Sequence, residues 1–319
     1  MALTMSVSVI ISTHNRPGLL RLTLFSILKQ RLLPDEVIII DDGSTVSVSH
    51  LIADIINDMR HKGIDVKFFR FNNEVGLGAA RLFGAYKSSC EYLVFIDDDA
   101  LAGSSLLEVY INKFKGEACD IIAGLCLPLY PKNVKFPSWW DENVLGSLVA
   151  VRNDIVLLSR RVKPQDYVYG CNFAMRRNVL KEVKGFKPWL GRVRGTLLGG
   201  EESDLVARAY YRGFKICFEK DAVVYHIITP NKITLKRVIN AGISTAKVRA
   251  LLQYEGSIRR SRSLYLVGCC IILPKDVIEL LYSIVLGKHQ YSVKKLHEFI
   301  IHLLIPFSYK SVLKLRSST

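Results

Sequence analysis

The chain has 319 residues, half of them apolar and a tenth aromatic, which excludes a disordered polymer and is enough for one large globular domain or two smaller ones. It carries 44 Lys and Arg against 29 Asp and Glu, and the excess is local: residues 1–231 hold 29 basic and 25 acidic side chains, residues 232–319 hold 15 and 4. Seven cysteines (Cys90, Cys119, Cys126, Cys171, Cys217, Cys269 and Cys270) show no C-x-x-C pair and no metal-finger spacing, so buried reduced thiols in a cytoplasmic protein are expected.

The first residues, MALTMSVSVIIS, lack a basic leader and a small-residue cleavage site, so no signal peptide is expected. Val7–Thr13 is an apolar β-branched run that predicts a buried strand, closed by His14-Asn15-Arg16-Pro17 with proline poised to start a helix. Leu19–Gln30 has helical apolar spacing. Glu36–Asp41 predicts a second strand ending in Asp42-Gly43-Ser44. Leu51–Lys62 reads as helix, Val66–Phe71 as strand, Gly78–Ser88 as helix and Tyr92–Asp97 as strand. Such apolar strands separated by helices predict a parallel sheet covered on both faces, with ligands at the carboxyl ends of the strands. Ser12, Asp41, Asp42 and Asp97–Asp99 all fall at those ends.

The middle of the chain is less regular. It holds an aromatic loop, Phe136-Pro137-Ser138-Trp139-Trp140, then GCNFAMRR (Gly170–Arg177), GGEESDLVARAYYRGFKI, and a strand Ala222–His226. From Lys232 the chain reads as helical. Leu264–Leu286 is strongly apolar, but Lys275, Asp276 and Glu279 interrupt it and Pro274 is expected to kink it. No uninterrupted run reaches the roughly 18–20 residues of a spanning helix. The basic, apolar tail therefore suits either a membrane surface or packing on the main domain or another subunit. It carries no recognised nucleic-acid signature.

Some chemistries are excluded. Gly76-Leu77-Gly78-Ala79-Ala80-Arg81 resembles a dinucleotide loop, but Arg81 stands where the third glycine belongs and the first strand lacks the motif. There is no P-loop and no G-x-S-x-G. The triplet Asp97-Asp98-Asp99 suits a hard divalent cation carrying a nucleotide diphosphate, since carboxylates this close repel without a cation or proton; a solvated loop of three exposed aspartates is the other reading.

Seven segments in order, VSVIISTHNR, VIIIDDGS, FNNEVGLGAAR, YLVFIDDDA, GCNFAMRR with GF after it, GGEESDLVARAYYRGFKI and DAVVYH, resemble the inverting family 2 glycosyltransferases over about Ser6–His226. The resemblance implies a GT-A fold, an α/β architecture with a Rossmann-like, mostly parallel central sheet, followed here by a C-terminal helical extension. It implies a donor-binding half over 1–125, an acceptor-binding half over 126–231 and the basic helical region over 232–319. Ser12, Thr13 and Asn15 would lie by the base and ribose, and Asp42 would accept a hydrogen bond from the base, while Asp41 shapes the turn. Arg81 would sit near the phosphates, although the asparagine usual shortly after it is Phe83 here. Asp97–Asp99 matches the DXD motif: Asp97 would meet ribose or donor sugar, Asp98 is the middle position expected to reach solvent beside it, and Asp99 would ligate Mn²⁺ or Mg²⁺.

Glu201-Glu202 stands where the family has Glu-Asp, whose second member is the general base; the substitution leaves the role between Glu201 and Glu202. His226 matches a metal-ligand position, or simply caps its strand. Trp139, Trp140, Gly170, Cys171 and Asn172 match the acceptor side, though the tryptophans suit ordinary packing equally. Without Q-x-x-R-W, transfer of a single sugar is implied rather than polymerisation. The expected partners are a nucleotide-diphosphate sugar, a glycan or lipid-linked acceptor, the inner face of the cell membrane and, as the other use of the tail, a homo-oligomer. A metal-dependent nucleotidyltransferase and a non-catalytic nucleotide-sugar-binding relative are the alternative readings.

Overall fold

A computed structural model describes residues 6–116, 118–133, 135–151, 168–192, 198–254 and 262–317. The four apolar runs of the first third become strands β1 (Val7–Thr13), β2 (Glu36–Asp41), β3 (Asp65–Arg70) and β4 (Tyr92–Ile96). They alternate with α1 (Pro17–Leu28), α2 (Ala53–His61) and α3 (Leu77–Lys87). Pro17 opens α1 as the sequence predicts, because its fixed φ suits a first helical turn and its missing N–H is not needed there. All four strands run parallel in the order β3-β2-β1-β4. β1, β2 and β4 are buried almost throughout, which their β-branched, two-faced composition requires.

The sheet continues where the sequence is less legible. After β5 (Ala100–Ala102) and α4 (Leu106–Gly116) come β6 (Ile121–Leu129), α5 (Glu142–Leu145), β7 (Asn172–Arg176), α6 (Arg177–Glu182), α7 (Glu201–Tyr211) and β8 (Ile216–Ile227). The complete order is β3-β2-β1-β4-β7-β6-β8-β5. β7 pairs antiparallel with both β4 and β6, and β5 antiparallel with β8, so the sheet is mostly parallel with two reversed strands. Phe95 on β4 stacks on Phe173 on β7 at 4.7 Å and meets Phe186 edge-on at 5.2 Å. That aromatic trio seals the junction between the parallel and reversed halves.

The expected boundary between 125 and 126 falls inside β6. The described residues of 1–129, 152–194 and 201–227 form one compact unit, and those of 130–151, 195–200 and 228–319 form another. The second unit contains α5 and the helices α8 (Leu235–Tyr254), α9 (Arg262–Val285) and α10 (His289–Ser317). The helix assignment of α9 continues through Pro274. Among the described residues no helix is long and apolar enough to cross a membrane.

The cysteine expectation fails at one pair. Cys119 and Cys217 are joined by a disulfide, while Cys90, Cys126 and Cys171 are free and buried. Cys217 lies on β8 opposite Ile122 of the directly paired β6. Sheet pairing thus brings together residues 98 positions apart, a proximity that no local spacing reveals. The Cys126 and Cys171 thiols also lie within hydrogen-bond distance, 3.4 Å apart, without a disulfide between them.

Gly78 explains why the glycine-rich loop looks like a nucleotide motif. A Cβ there would fall 2.0 Å from the Leu190 carbonyl oxygen and 2.6 Å from that of Lys187. The glycine lets the first turn of α3 touch the 187–192 loop, backbone against backbone. Gly78→Ala is expected to lower stability by about 1–3 kcal/mol, as overpacking does, read as a lower midpoint in thermal unfolding; an unchanged midpoint would remove the close-approach explanation.

Candidate active site

The carboxyl ends of β1 and β2 form two interlocked loops. Asn15 adopts a left-handed φ of 55°. Its backbone N–H donates to Ser44 Oγ at 2.8 Å, and its side-chain oxygen accepts from the Thr45 N–H at 2.8 Å. Asp41 accepts from the Ser44 N–H at 3.0 Å and has Arg70 3.6 Å away, a turn-shaping role as expected. Asp42 accepts from the N–H groups of Val75 (2.7 Å) and Gly76 (3.0 Å), so it anchors the start of α3. Burial raises its pKa despite those two bonds. His14 bonds the Asp42 carbonyl through Nδ1 at 2.7 Å.

The aspartate triplet ends β4, but its exposure is the reverse of the expectation. Asp97 is the most accessible, 27 % exposed at its side chain, and Asp98 is wholly buried. Thr13 Oγ1 donates to Asp98 at 2.7 Å, and Thr23 Oγ1 donates to the Asp98 carbonyl at 2.9 Å. Arg16 reaches both Asp98 (2.9 Å) and Asp99 (2.8 Å). Burial pushes the Asp98 carboxyl well above the usual carboxylate range, against the pull of Arg16. Asp98 turns inward because the chain must reverse from β4 into β5, and the Thr13 hydroxyl and Arg16 give its carboxyl partners there. The pairing of Ala100 on β5 with His226 on β8 then sets His226 Nε2 3.2 Å from Asp99. Among the described residues, no group of three or more His, Cys, Asp or Glu is already arranged to hold a metal.

Arg81 joins this edge to the acidic pair on α7. Its guanidinium is buried and donates to Asp97 (2.6 Å), Glu201 (2.5 Å) and the Gly170 carbonyl (2.8 Å). Glu202 stands farther off, at 3.9 Å. Burial works against the Arg81 charge, but Asp97, Glu201 and Glu202 more than offset it and hold the group firmly protonated. Gly170 makes room: a Cβ there would lie 2.5 Å from Arg81 Nη1. Both terminal nitrogens of Arg81, the residue expected near the phosphates, are thus engaged with carboxylates.

The two glutamates differ in consequence. Glu201 is buried and paired with Arg81, while Glu202 keeps 16 % of its side chain exposed. Burial first, and the neighbouring Glu201 second, push the Glu202 pKa up to about 8. Glu201 Oε2 and Ser12 Oγ are buried without a hydrogen-bond partner among the described residues, and buried polar atoms are ordinarily paired. One turn into α7, Asp204 is buried and accepts from Lys187 (2.8 Å) and Arg208 (2.6 Å), and Arg208 also donates to the Gly185 carbonyl (2.8 Å). This clasp fixes the helix that carries Glu202.

The acceptor-side candidates separate. Asn172 is wholly buried and its amide is consumed: it accepts from Tyr110 Oη (2.6 Å) and donates to the carbonyls of Leu125 and Ala222, each at 2.9 Å. Cys171 is equally buried. Trp139 and Trp140 belong to the second unit, where they pack on small apolar clusters around Val149, Ile233 and Val238. Sequence reasoning passes over Arg16, Lys187, Asp204 and Arg208. Arg16 alone left a signal, a cation immediately before a helix-starting proline at a strand end.

Replacing Arg81 with methionine is expected to cost about 3–5 kcal/mol, because it strands buried carboxylates without a partner. Urea unfolding would measure this, and the loss should shrink as pH falls and the orphaned carboxyls take up protons. A loss that is independent of pH would mean that Arg81 acts only by packing.

Comparison with known proteins bears on the family and the fold. Residues 8–184 match the family Glycosyl transferase family 2. The chain is 26 % identical over 240 residues to validoxylamine A glucosyltransferase of Streptomyces hygroscopicus subsp. limoneus, covering 67 % of this chain and 50 % of that protein. It is 26 % identical over 231 residues to the O-antigen chain rhamnosyltransferase RfbN of Salmonella typhimurium, covering 70 % and 66 %. The chain therefore spans half to two-thirds of the length of these relatives. The solved mannosyltransferase PcManGT from Pyrobaculum calidifontis, in complex with GDP-Man and Mn²⁺, superposes with a TM-score of 0.58 at 15 % identity, over 98 % of this chain and 74 % of that one. The crystal structure of S. aureus TarS does so with a TM-score of 0.50 at 18 % identity, over 77 % and 42 %. These likenesses bear on fold alone, and the fold is that of the GT-A glycosyltransferases. With the family matched across more than half its length, this chain belongs to glycosyl transferase family 2.

Proposed function

We propose that the protein is an inverting glycosyltransferase, moving one sugar from a nucleoside diphosphate sugar to a hydroxyl of a glycan or lipid-linked acceptor. The observation that carries this reading is the span of Arg81 between Asp97 at the end of β4 and Glu201 at the start of α7. It couples a donor-type acid cluster to a pair of carboxyls suited to proton abstraction. The loops of Ser12, Thr13, Asn15 and Asp42 would hold the nucleoside, and Asp97 the ribose or sugar. The names of the relatives, which transfer glucose and rhamnose, support a sugar donor.

Glu202 is the base in this reading. Glu201 is neutralised by Arg81, whereas Glu202 is partly exposed and holds its proton weakly enough to exchange near neutral pH. It would take the acceptor hydroxyl proton while that oxygen attacks the anomeric carbon from the face opposite the diphosphate. Asp99 and His226 supply an oxygen and a nitrogen donor side by side, a set that fits Mn²⁺ or Mg²⁺ with substrate and water completing the shell. When bound, the cation supplies charge that stabilises the departing diphosphate. The basic region 232–319 would bring the enzyme to the membrane surface that carries a lipid-linked acceptor.

Two measurements test the reading. Across a panel of nucleotide sugars, Mn²⁺ should deepen the thermal shift given by the correct donor, and Asp99→Ala should lose that increment. An undiminished increment in the variant would remove Asp99 from the metal. Glu202→Gln should retain donor binding and lose about 10²–10⁴ in turnover. Because the base must be ionised and its pKa is raised to about 8, wild-type kcat/KM should climb with pH through neutrality and level above that value. A flat profile, or full turnover in Glu202→Gln, would reject Glu202 as base.

A further inference from the structure

Over its described side chains, residues 272–285, helix α9 is built inside out. Its polar side chains Asp276 and Ser283, seven residues apart, are buried against α10: Asp276 lies 2.6 Å from His302 Nδ1, and Ser283 Oγ is 3.0 Å from Ser292 Oγ. Glu279 pairs with Lys295 across the same seam at 2.5 Å. Asp276 and Glu279, two of the three charged residues that interrupt the apolar run in the sequence, therefore bind α9 to α10, while Lys275 stays exposed. The exposed apolar side chains point the other way. Ile278 (66 % exposed), Leu281, Tyr282 and Val285 (83 % exposed) stand at i, i+3, i+4 and i+7 and form one outward stripe, with Ile284 and Leu286 exposed beside it.

An exposed stripe of this size is far from the scattered single apolar residues of an ordinary soluble surface. We infer that this face of α9 is the surface on which the chain lies in the headgroup boundary of an anionic lipid bilayer. The inference rests on the proposed membrane attachment and names the face that makes it.

Charge selects lipid over a second copy of the chain. Each acidic side chain among the described residues of 232–317 is tied up internally: Asp276 with His302, Glu279 with Lys295 and Lys275, and Glu298 with Lys295. The region nevertheless holds 15 Lys and Arg against 4 Asp and Glu. Lys275, Lys288 and His289 are exposed at the ends of the stripe. Two such surfaces would repel face to face, whereas phosphate headgroups would neutralise the basic rim as the apolar stripe enters the acyl boundary. Tyr282 suits that boundary, with an apolar ring and a polar tip. No helix among the described residues is long and apolar enough to cross, so the contact is interfacial.

The test is flotation of the full chain, without donor, on vesicles of phosphatidylcholine alone and of phosphatidylcholine with phosphatidylglycerol. Binding is expected only to the anionic vesicles, falling with added salt. Ile278→Ser, Leu281→Ser and Val285→Ser together should weaken it about tenfold or more, with circular dichroism and the donor-induced thermal shift unchanged. Tyr282→Trp gives a readout in an otherwise intact helix: its added fluorescence should move to shorter wavelength on anionic vesicles and stay put on neutral ones. Equal flotation of the triple variant overturns this face while leaving membrane attachment standing. No flotation of the wild-type chain overturns both, and donor hydrolysis in solution reports on the transferase reading separately. A dimer in solution that the triple variant dissolves, with no vesicle binding, assigns the stripe to a second copy and also overturns the inference.

Discussion

Everything at the candidate site leans on one buried guanidinium. Removing an arginine from water costs several kcal/mol, and only well-formed charged hydrogen bonds return it. Arg81 has two such partners, Asp97 and Glu201, and a third acceptor in the Gly170 carbonyl. Those three partners come from the end of β4, the start of α7 and the approach to β7. Losing the central charge would set the carboxylates against one another and release three segments at once. The same demand excludes any side chain at position 170, where the guanidinium already fills the space of a Cβ.

Around that pair the acids are graded by what faces them. Glu201 has a dedicated cation, and Asp98 shares Arg16 with Asp99. Glu202 has none within hydrogen-bond reach, only Arg81 at 3.9 Å. The positive end of α7 favours its ionisation, by roughly 0.3–1 kcal/mol. Burial and the adjacent Glu201 charge are the larger effects, so the Glu202 pKa rises. Two neighbouring glutamates of identical chemistry are thereby given different surroundings, one paired with a buried guanidinium and one able to exchange a proton near neutral pH.

The second unit obeys the opposite packing rule. In the first, the Val, Ile and Phe side chains of β1, β2 and β4 are buried by the helices and strands around them. In the described part of α9, ion pairs and a serine contact occupy the seam with α10 while Ile278, Leu281, Tyr282 and Val285 face out. Hydropathy averaged along the chain cannot distinguish that arrangement from an interrupted core helix.

The alternation of β-branched runs with helical spacing determined the parallel half of the sheet, because strands buried on both faces have no other composition available. Pro17, the aspartates at strand ends and the ordered family segments were legible for the same reason: their chemistry is local. What only the tertiary structure decided depends on residues far apart in the chain. Sheet pairing carried Cys119 to Cys217 and Asp99 to His226. The turn into β5 buried Asp98 and left Asp97 accessible, and the reach of Arg81 separated Glu201 from Glu202. Spacing fixes which side chains are present at a strand end, but burial and the nearest opposite charge fix what each can do, and both are properties of the folded chain.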